Sequence, residues 1–382
     1  MRLGIDATFL RFGGEVTYLR ELLNHSGFRP EEIVDIVVVA PEWVLGEIPD
    51  FHHITKKSFP WLQGKLFWRW ATQLNELDGY FKEHTDMVFS ISGEYTGKMR
   101  PLVAVAQNLA VFDMDYWKEW WRLRDTTRQW FSLRRHFRCI VQSDGIIYLS
   151  KYARNYIHGL MPVDQKKQIV VPNGVSPVFS AAVKPQLPIS AYSAENPFRL
   201  LYVAGIQSYK NHRQLMEAVK RLHFSGYPVE LHLVGKIMYR PAGLKFKMAM
   251  AKADPRREFI RYHGALPSGD LAAMYKKADA YVFPSSGLTM PNSVMEAITA
   301  GLPVICSDKQ PLPEFVKDNG FYFRAGEIES METVIAKFIT SPERRELKAQ
   351  RAKAESRNWD WGNAVRLTFE FVTEVYHEHQ QK

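Results

Sequence analysis

Short apolar runs alternate with segments of helical length along the whole chain. In the first half the runs are rich in β-branched residues and comprise RLGIDAT, DIVVVAP, MVFSIS, PLVAVAQ, GIIYLS and QIVVPNG. Segments such as EVTYLRELL and SKYARNYIHGL lie between them. This alternation predicts βαβ units and a parallel sheet. Strands that are apolar throughout indicate a sheet covered on both faces.

The alternation breaks at residues 176–197 and then restarts. The break, SPVFSAAVKPQLPISAYSAENP, contains four prolines and no helical or strand period, so we predict an interdomain linker. We predict one Rossmann-like domain over 1–175, a second over 198–361, and a C-terminal helix over 362–382 that returns to the first. Two such α/β domains in series place a ligand cleft between them, at the carboxyl ends of the strands.

Composition narrows the class of protein. The chain has 382 residues, of which 46% are hydrophobic and 24% charged, as expected for two globular domains. We find no uncharged apolar run of about 18 residues, so we expect no transmembrane helix. The acid in the first apolar run argues against a secretory signal. Cys139 and Cys306 lack metal-ligand spacing, so we expect a cytosolic protein with no metal and no cofactor.

Basic and aromatic residues are concentrated in the first half. The net charge is +9, and seven of the ten tryptophans lie in residues 60–70 and 116–138. A basic, Trp-rich helix can lie on an anionic bilayer. Core helices with solvated basic faces are the alternative, and no fold signature supports nucleic-acid binding. The residues predicted to contact a membrane are Trp68, Trp117, Trp120, Trp121, Arg134 and Arg135.

Two loops have the residues of an anion site. Gly13 and Gly14 join the first strand to the first helix, where the backbone can approach a ligand and a helix N-terminus favours an anion. A tight strand-to-helix turn explains them equally well. Lys210 lies between a strand end and a helix that begins near Asn211, so it can neutralise a phosphate. A solvated loop lysine is the alternative.

A third loop precedes an isolated acid. Residues 285–292 lead into a predicted helix over 293–300, for which Asn292 is a good N-cap. The free N–H groups of the first turn offer another anion site. Glu296 lies one turn into this apolar helix, where its carboxylate could accept two hydrogen bonds from a diol such as a ribose. A solvent-facing glutamate is the alternative.

Together these motifs resemble glycosyltransferase family 4. The resemblance spans nearly the whole chain and is carried by GLTMPNSVMEAITAGLPVICSDKQPLPEFV, by Lys210-Asn211, by VVPNGV at 170–175 and by YHGALPSGDLAAMYKKADAYVFPSS at 262–286. It implies a retaining, nucleotide-sugar-dependent enzyme of the bacterial lipopolysaccharide or exopolysaccharide type. The implied fold is GT-B, in which two Rossmann-like, doubly wound domains face a central cleft.

The resemblance also implies roles for individual residues. Glu296 would bind the donor ribose, and Lys210 would hold the donor diphosphate and stabilise the leaving group. The implied acceptor is a polyprenyl-linked saccharide, reached by a cytoplasmic protein bound peripherally to the anionic inner face of the membrane. The implied donor-binding residues are Gly13, Gly14, Gly205, Gly264, Leu266, Leu288, Thr289, Met290, Pro291 and Asn292.

The sequence departs from the family at three donor contacts. Leu288 replaces a usual glutamate, no arginine lies near Gly205, and Gln107 replaces a common histidine. Glu94 is a candidate substitute acid that would face the cleft. These changes leave open a second interpretation, a degenerate, non-catalytic member that serves as a scaffold subunit of a glycan assembly complex.

One acidic motif resembles a metal-binding motif. Asp113-Met114-Asp115 matches a D-x-D metal motif but lacks that motif's fold context, so we predict no metal there. Asp113 remains a candidate residue near the acceptor.

Overall fold

The computed structural model describes residues 1–10, 13–63, 76–113, 126–287 and 290–381. The chain divides into two compact units, one formed by Met1–Gly174 with Trp359–Lys382 and the other by Val175–Asn358. The segment 176–197, predicted as a linker, belongs to the second unit. Its backbone is fixed there by Arg345, a fully buried residue whose guanidinium donates to the Leu187 carbonyl at 2.7 Å.

The described part of the first unit contains a parallel sheet of seven strands. Their order is β3-β2-β1-β4-β5-β6-β7, so the direction of winding reverses between β1 and β4. The strands are β1 (Arg2–Asp6), β2 (Asp35–Val39), β3 (Ile54–Lys57), β4 (Met87–Ser90), β5 (Leu102–Ala106), β6 (Gly145–Tyr148) and β7 (Lys167–Val170). The helices are Gly14–Asn24, Glu42–Leu45, Asp78–His84, Thr126–Gln142, Lys151–His158 and Trp361–Gln380.

The last helix packs within the first unit. Its first residue, Trp361, lies against Gly174, where a Cβ would approach the Trp361 nitrogen to 2.4 Å. Trp361 also contacts Tyr18 edge to face, with ring centroids 6.0 Å apart. Because Gly174 has no side chain, the backbone after β7 can pack closely against the start of the last helix.

The described part of the second unit contains a parallel sheet of six strands. Their order is β10-β9-β8-β11-β12-β13, and the winding reverses between β8 and β11. The strands are β8 (Phe198–Val203), β9 (Val229–Val234), β10 (Ile260–Tyr262), β11 (Ala280–Phe283), β12 (Val304–Ser307) and β13 (Gly320–Phe323). The helices are His212–Phe224, Arg240–Ala253, Ser268–Lys277, Asn292–Thr299, Leu312–Val316, Ile328–Ile339 and Pro342–Glu355.

The central strands of both sheets are buried along their whole length. Every residue of β4, β5, β6, β11 and β12 is buried, as expected where helices cover both faces. The predicted α/β class with two Rossmann-like, doubly wound sheets is confirmed. Reversal points of this kind open a crevice at the carboxyl ends of the strands, where such folds bind ligands.

Candidate functional site

The predicted donor-binding residues of the second unit gather at the carboxyl edge of its sheet. Gly205 and Lys210 follow β8, Gly264 and Leu266 follow β10, and Met290, Pro291 and Asn292 follow β11. Strands β8 and β11 are neighbours at the reversal point, so their loops emerge side by side. Two of the predicted residues, Leu288 and Thr289, lie outside the described residues.

Hydrogen bonds join the Lys210 loop to the loop after β11. Asn211 adopts a left-handed conformation with φ of 53° and donates its side-chain amide to the Pro284 carbonyl at 2.7 Å. Ser286 donates its backbone N–H to the Tyr209 carbonyl at 3.0 Å. Asn tolerates this left-handed backbone better than most residues. This conformation explains why an asparagine follows Lys210. The two loops therefore form one surface.

Lys210 lies over aromatic rings on this surface. Its Nζ is 4.9 Å from the Tyr209 ring centroid and 5.2 Å from that of Phe283. Burial lowers the pKa of the Lys210 ammonium to about 8, because a cation loses water there. The lysine still carries its charge at neutral pH, and an arriving diphosphate would stabilise that charge.

Glu296 has a partner that sequence reasoning missed. The hydroxyl of Tyr275, a fully buried residue, donates to Glu296 Oε2 at 2.8 Å. Burial raises the pKa of the Glu296 carboxyl to about 7, against the lowering effect of that hydrogen bond. Tyr275 lies in the predicted helix SGDLAAMYKKADA, where nothing in the local pattern marks it as a partner of a residue 21 positions away.

The helix that carries Glu296 begins differently from the prediction. The helix is Asn292–Thr299, and the N-cap position is taken by Pro291, so the expectation of Asn292 as the N-cap is wrong. Proline has no side-chain acceptor for the first N–H groups, as an Asn cap would have. Backbone carbonyls take the place of a side-chain cap, because the N–H groups of Asn292, Val294 and Met295 donate to the Met290 and Pro291 carbonyls.

The backbone beneath Gly205 is packed closely against its neighbour strand. Gly235, at the end of β9, has a φ of 150°, and a Cβ there would lie 1.9 Å from the Ala204 carbonyl oxygen. We expect Gly235→Ala to lower the melting temperature by several degrees and to weaken nucleotide binding, because the β8 and β9 ends must separate. Gly269→Ala is the matched control, since a Cβ there meets nothing within 4 Å. Equal melting temperatures for both variants would contradict this prediction.

The first unit also has predicted residues after the carboxyl ends of β1 and β5, the strands on either side of β4. Gly13 and Gly14 follow β1 and begin the first helix, and Gly13 has a positive φ of 63°. Gln107 follows β5, and its Oε1 is buried without a hydrogen-bond partner among the described residues. Asp113 lies close enough to Tyr152 to raise the pKa of that phenol, together with burial as the larger cause.

Glu94 forms a buried ion pair. It is 4% exposed, and Arg135, itself 5% exposed, donates Nε to its Oε2 at 2.7 Å. The Arg135 guanidinium also lies 4.3 Å from the ring centroid of Phe9, in the loop after β1. The expectation of an open substitute acid is therefore wrong. Arg135 is also a wrong prediction as a membrane residue, because it joins the loops after β1 and β4 from inside the fold.

Asp6 is a structural residue of the same region that the sequence analysis did not select. It is fully buried at the end of β1 and accepts hydrogen bonds from Thr8 at 2.7 Å and from Ser90, at the end of β4, at 2.9 Å. It therefore connects the strands on the two sides of the reversal point. An acid inside an otherwise apolar strand was the available signal.

The predicted membrane residues fall into two groups. Trp68, Trp117, Trp120 and Trp121 lie outside the described residues. In the helix Thr126–Gln142, the exposed face carries Trp130, Phe131, Arg134, Phe137 and Arg138, and the Arg134 guanidinium lies 4.8 Å from the Trp130 ring centroid. Arg134 is thus exposed, about 100° around the helix from the buried Arg135, and its contact with a membrane stays a prediction.

Comparison with known proteins identifies the second unit. Residues 185–355 match the family described as "Glycosyl transferases group 1". The chain carries a glycosyl transferases group 1 domain. This range includes Lys210, Glu296 and the loops that join them.

Similar curated proteins come from polysaccharide synthesis. The chain is 28% identical over 173 residues to O-antigen chain mannosyltransferase B of Escherichia coli, covering 44% of each chain. It is 25% identical over 252 residues to the serotype-specific mannosyltransferase WbdA of Escherichia coli, covering 63% of this chain and 30% of WbdA. The chain thus spans less than half the length of these relatives.

Solved structures show the same fold over the whole chain. The chain is similar to Alr3699/HepE of Anabaena in complex with UDP and glucose, with a TM-score of 0.74, 15% identity and coverage of 98% and 100% of the two chains. It is also similar to WaaG, a glycosyltransferase involved in lipopolysaccharide biosynthesis, with a TM-score of 0.72, 18% identity and coverage of 97% and 99%. The expected GT-B fold is confirmed.

Proposed function

We propose that the protein is a retaining glycosyltransferase that moves a sugar from a nucleoside-diphosphate sugar to a lipid-linked saccharide. The observation that carries this proposal is the joined surface at the reversal point of the second sheet. There Lys210 supplies an ammonium beside the start of the helix Asn292–Thr299, whose dipole favours an anion. The group 1 domain family and the UDP bound by HepE support a nucleotide-sugar donor.

Each residue has a distinct task in this proposal. Lys210 neutralises the diphosphate as it departs, when charge develops on the leaving oxygen. Glu296 accepts hydrogen bonds from the ribose hydroxyls while Tyr275 fixes its carboxylate. The reaction needs no covalent nucleophile if the acceptor attacks on the face that the diphosphate leaves, because the leaving phosphate oxygen can take the acceptor proton.

Calorimetry with UDP, GDP and their sugars tests the donor assignment. We expect micromolar binding of one nucleotide and its sugar. Transfer of the radiolabelled sugar from that donor to polyprenyl-linked saccharides, followed by anomeric analysis of the product, then tests the reaction and its stereochemistry. An inverted product would contradict the retaining mechanism, and a failure to bind any nucleotide at millimolar concentration would overturn the enzyme proposal.

A non-catalytic scaffold subunit is the second candidate. Two observations favour it: Leu288 replaces an acid, and Glu94 forms an ion pair with Arg135. Both reduce the number of polar groups available to a donor sugar. A scaffold of this kind would bind its partner proteins unchanged after Glu296→Ala. An enzyme would lose most of its turnover with the same substitution.

The exposed face of the helix Thr126–Gln142 supports a peripheral position on an anionic membrane surface. Aromatic rings and arginines share that face, the arrangement of helices that lie at a lipid headgroup level. Among the described helices, none is long and apolar enough to cross a bilayer. We propose the inner membrane face, where a polyprenyl-linked acceptor and a cytoplasmic nucleotide sugar can meet.

Vesicle binding tests this surface. We expect the double variant Arg134→Glu, Arg138→Glu to reduce partitioning onto phosphatidylserine vesicles by more than about tenfold, because each basic residue contributes about 1 kcal/mol. The wild-type affinity should fall with added salt. Arg154→Glu, an exposed substitution in the same unit, is the control. Equal partitioning of all three proteins would exclude this helix as the contact.

A further inference from the structure

One face of the second sheet departs from the apolar rule for parallel sheets. Strands buried on both faces are apolar throughout, yet on this face β8 carries Arg199, β9 carries Glu230 and His232, and β10 carries Arg261. These residues are all partly exposed. His263 follows directly after β10. A polar face beside fully buried neighbours indicates contact with water or a ligand.

A cavity opens where this face meets the helix Ser268–Lys277. Its volume is about 400 Å³, within the size range of small-molecule sites. Its walls combine apolar side chains with basic ones, and the lining comprises Arg199, Leu201, His232, Met274, Lys277 and Ala278. No carboxylate is among these lining residues.

The acids nearest this cavity are engaged elsewhere. Glu230 accepts from Arg261 Nε at 2.7 Å and lies 3.1 Å from His232 Nε2. Asp279 accepts the backbone N–H of Arg199 at 2.8 Å. Within the part of the chain that the structure describes, no hydrogen bond or ion pair occupies the Arg199 guanidinium or the Lys277 ammonium. Two cations, Arg199 and the exposed Lys277, therefore border an apolar cavity without forming an ion pair with the neighbouring acids.

A histidine pair connects this cavity to the edge strand. His232 Nδ1 lies 3.0 Å from His263 Nε2, so one ring donates to the other. The charged or titratable groups around His232 are Glu230 on its own strand, Arg261 and His263 beyond β9 on the side of β10, Arg199 on β8 and Lys277 on the covering helix. Burial is the main cause that lowers the pKa of His232, so an anion in the cavity would favour its protonated form.

We propose that this cavity binds a phosphate group, either inorganic phosphate or a small phosphate monoester. Arg199 and Lys277 would hold the phosphate oxygens by charge-assisted hydrogen bonds, while Leu201 and Met274 would contact an apolar substituent. His232 would lie beside the phosphate, with its two ring nitrogens bonded to His263 and Glu230. The cavity is too small for a folded partner, which favours a small molecule over an acidic protein.

The site is separate from the proposed donor site. Arg199 is the second residue of β8 and Lys277 ends its helix, whereas Lys210 follows the other end of β8. A phosphate here would not be the diphosphate of the donor. The inference goes beyond the proposed function and does not depend on it.

Histidine NMR tests the site directly. Protein labelled at histidine Cε1 is titrated with inorganic phosphate near neutral pH, and the His232 and His263 signals are assigned with His→Gln variants. We expect both signals to shift in a saturable way with a dissociation constant of about 0.1–10 mM. The Arg199→Gln and Lys277→Gln variants should each weaken binding several-fold to about tenfold. A small phosphate monoester that binds more tightly than phosphate would identify the ester as the ligand, and equal affinity would identify free phosphate.

Two controls separate this site from others. Arg256→Gln removes an arginine that is 81% exposed and should leave the phosphate titration unchanged. Lys210→Ala should weaken nucleotide binding while the histidine response to phosphate remains. The proposal is overturned if neither probe gives a saturable shift, if sodium chloride of equal ionic strength gives the same shift, or if Arg199→Gln and Lys277→Gln titrate like the wild type.

Discussion

Replacing Lys210 with alanine should lower the rate of sugar transfer by about 10²–10³-fold, the usual effect of removing one group that stabilises transition-state charge. It should also weaken nucleotide binding about tenfold or more. The ammonium lies among the Tyr209 and Phe283 rings, at a point that burial has partly desolvated. Electrostatic interactions are stronger there than in water, so water would replace the lysine poorly.

Variants of matched charge make this prediction specific. Lys210→Arg keeps the cation and should restore part of the binding but less of the rate, because a guanidinium differs from an ammonium in size and geometry. Lys337→Ala removes an exposed lysine from another helix of the same unit and should change neither value. Calorimetry with the nucleotide and initial rates of transfer measure both. If Lys210→Ala retains the wild-type rate, the charge that stabilises the leaving group lies elsewhere.

The sequence was sufficient to predict the fold and the region of the site. Apolar strand runs specify two parallel sheets, and parallel strands with alternating helices end at one edge. Lys210 and Glu296 were linked in advance only by the resemblance, which implies that both bind the donor. The structure adds the bonds between their loops, from Asn211 to Pro284 and from Ser286 to Tyr209.

Side-chain pairing across the fold was not accessible to sequence reasoning. Glu94 and Arg135 are 41 positions apart, and a helix with many basic residues gives no sign of which arginine turns inward. The concentration of basic and aromatic residues led to the prediction that Arg134 and Arg135 both contact a membrane, but consecutive helical residues lie on different faces. The same limit hid Tyr275, whose hydroxyl matters only because the fold brings it to Glu296.

Capping was missed for a different reason. Asn is a favourable N-cap residue, and Asn292 stands just before an apolar helix. Pro291 nevertheless takes the cap position, and proline has no side-chain acceptor for the first turn. The N–H groups of the first turn bond instead to the Met290 and Pro291 carbonyls.

Replacing Glu296 with glutamine should weaken donor binding and stabilise the folded protein, both above neutral pH. The carboxyl has a pKa of about 7 in the folded chain against an ordinary value of 4.5 for glutamate. Between these values the folded state holds more protons than the unfolded state, so the free energy of unfolding of the wild type falls as the pH rises through this range. Glutamine does not titrate and keeps an acceptor for Tyr275.

The stability difference should therefore depend on pH with a defined sign. We expect Glu296→Gln and the wild type to be about equally stable near pH 4.5, and the variant to be more stable by about 1–3 kcal/mol at pH 8. Urea unfolding at a series of pH values measures this difference. Glu343→Gln, which removes an exposed glutamate, is the control and should show no such trend. A variant less stable than the wild type at pH 8 would contradict the prediction.

The affinity for the donor should also depend on the protonation of Glu296, but it should rise with pH where the stability falls. A carboxylate can accept two ribose hydrogen bonds, whereas a protonated carboxyl accepts them poorly, so wild-type affinity for the nucleotide should fall as the pH decreases from 8 to 6. The Glu296→Gln variant should bind about tenfold more weakly at pH 8 and show little dependence on pH. If the variant binds the nucleotide as tightly as the wild type at pH 8, Glu296 does not bind the ribose. Weaker binding together with greater stability would show that the fold keeps a desolvated carboxylate at a cost to its own stability because the ligand requires it.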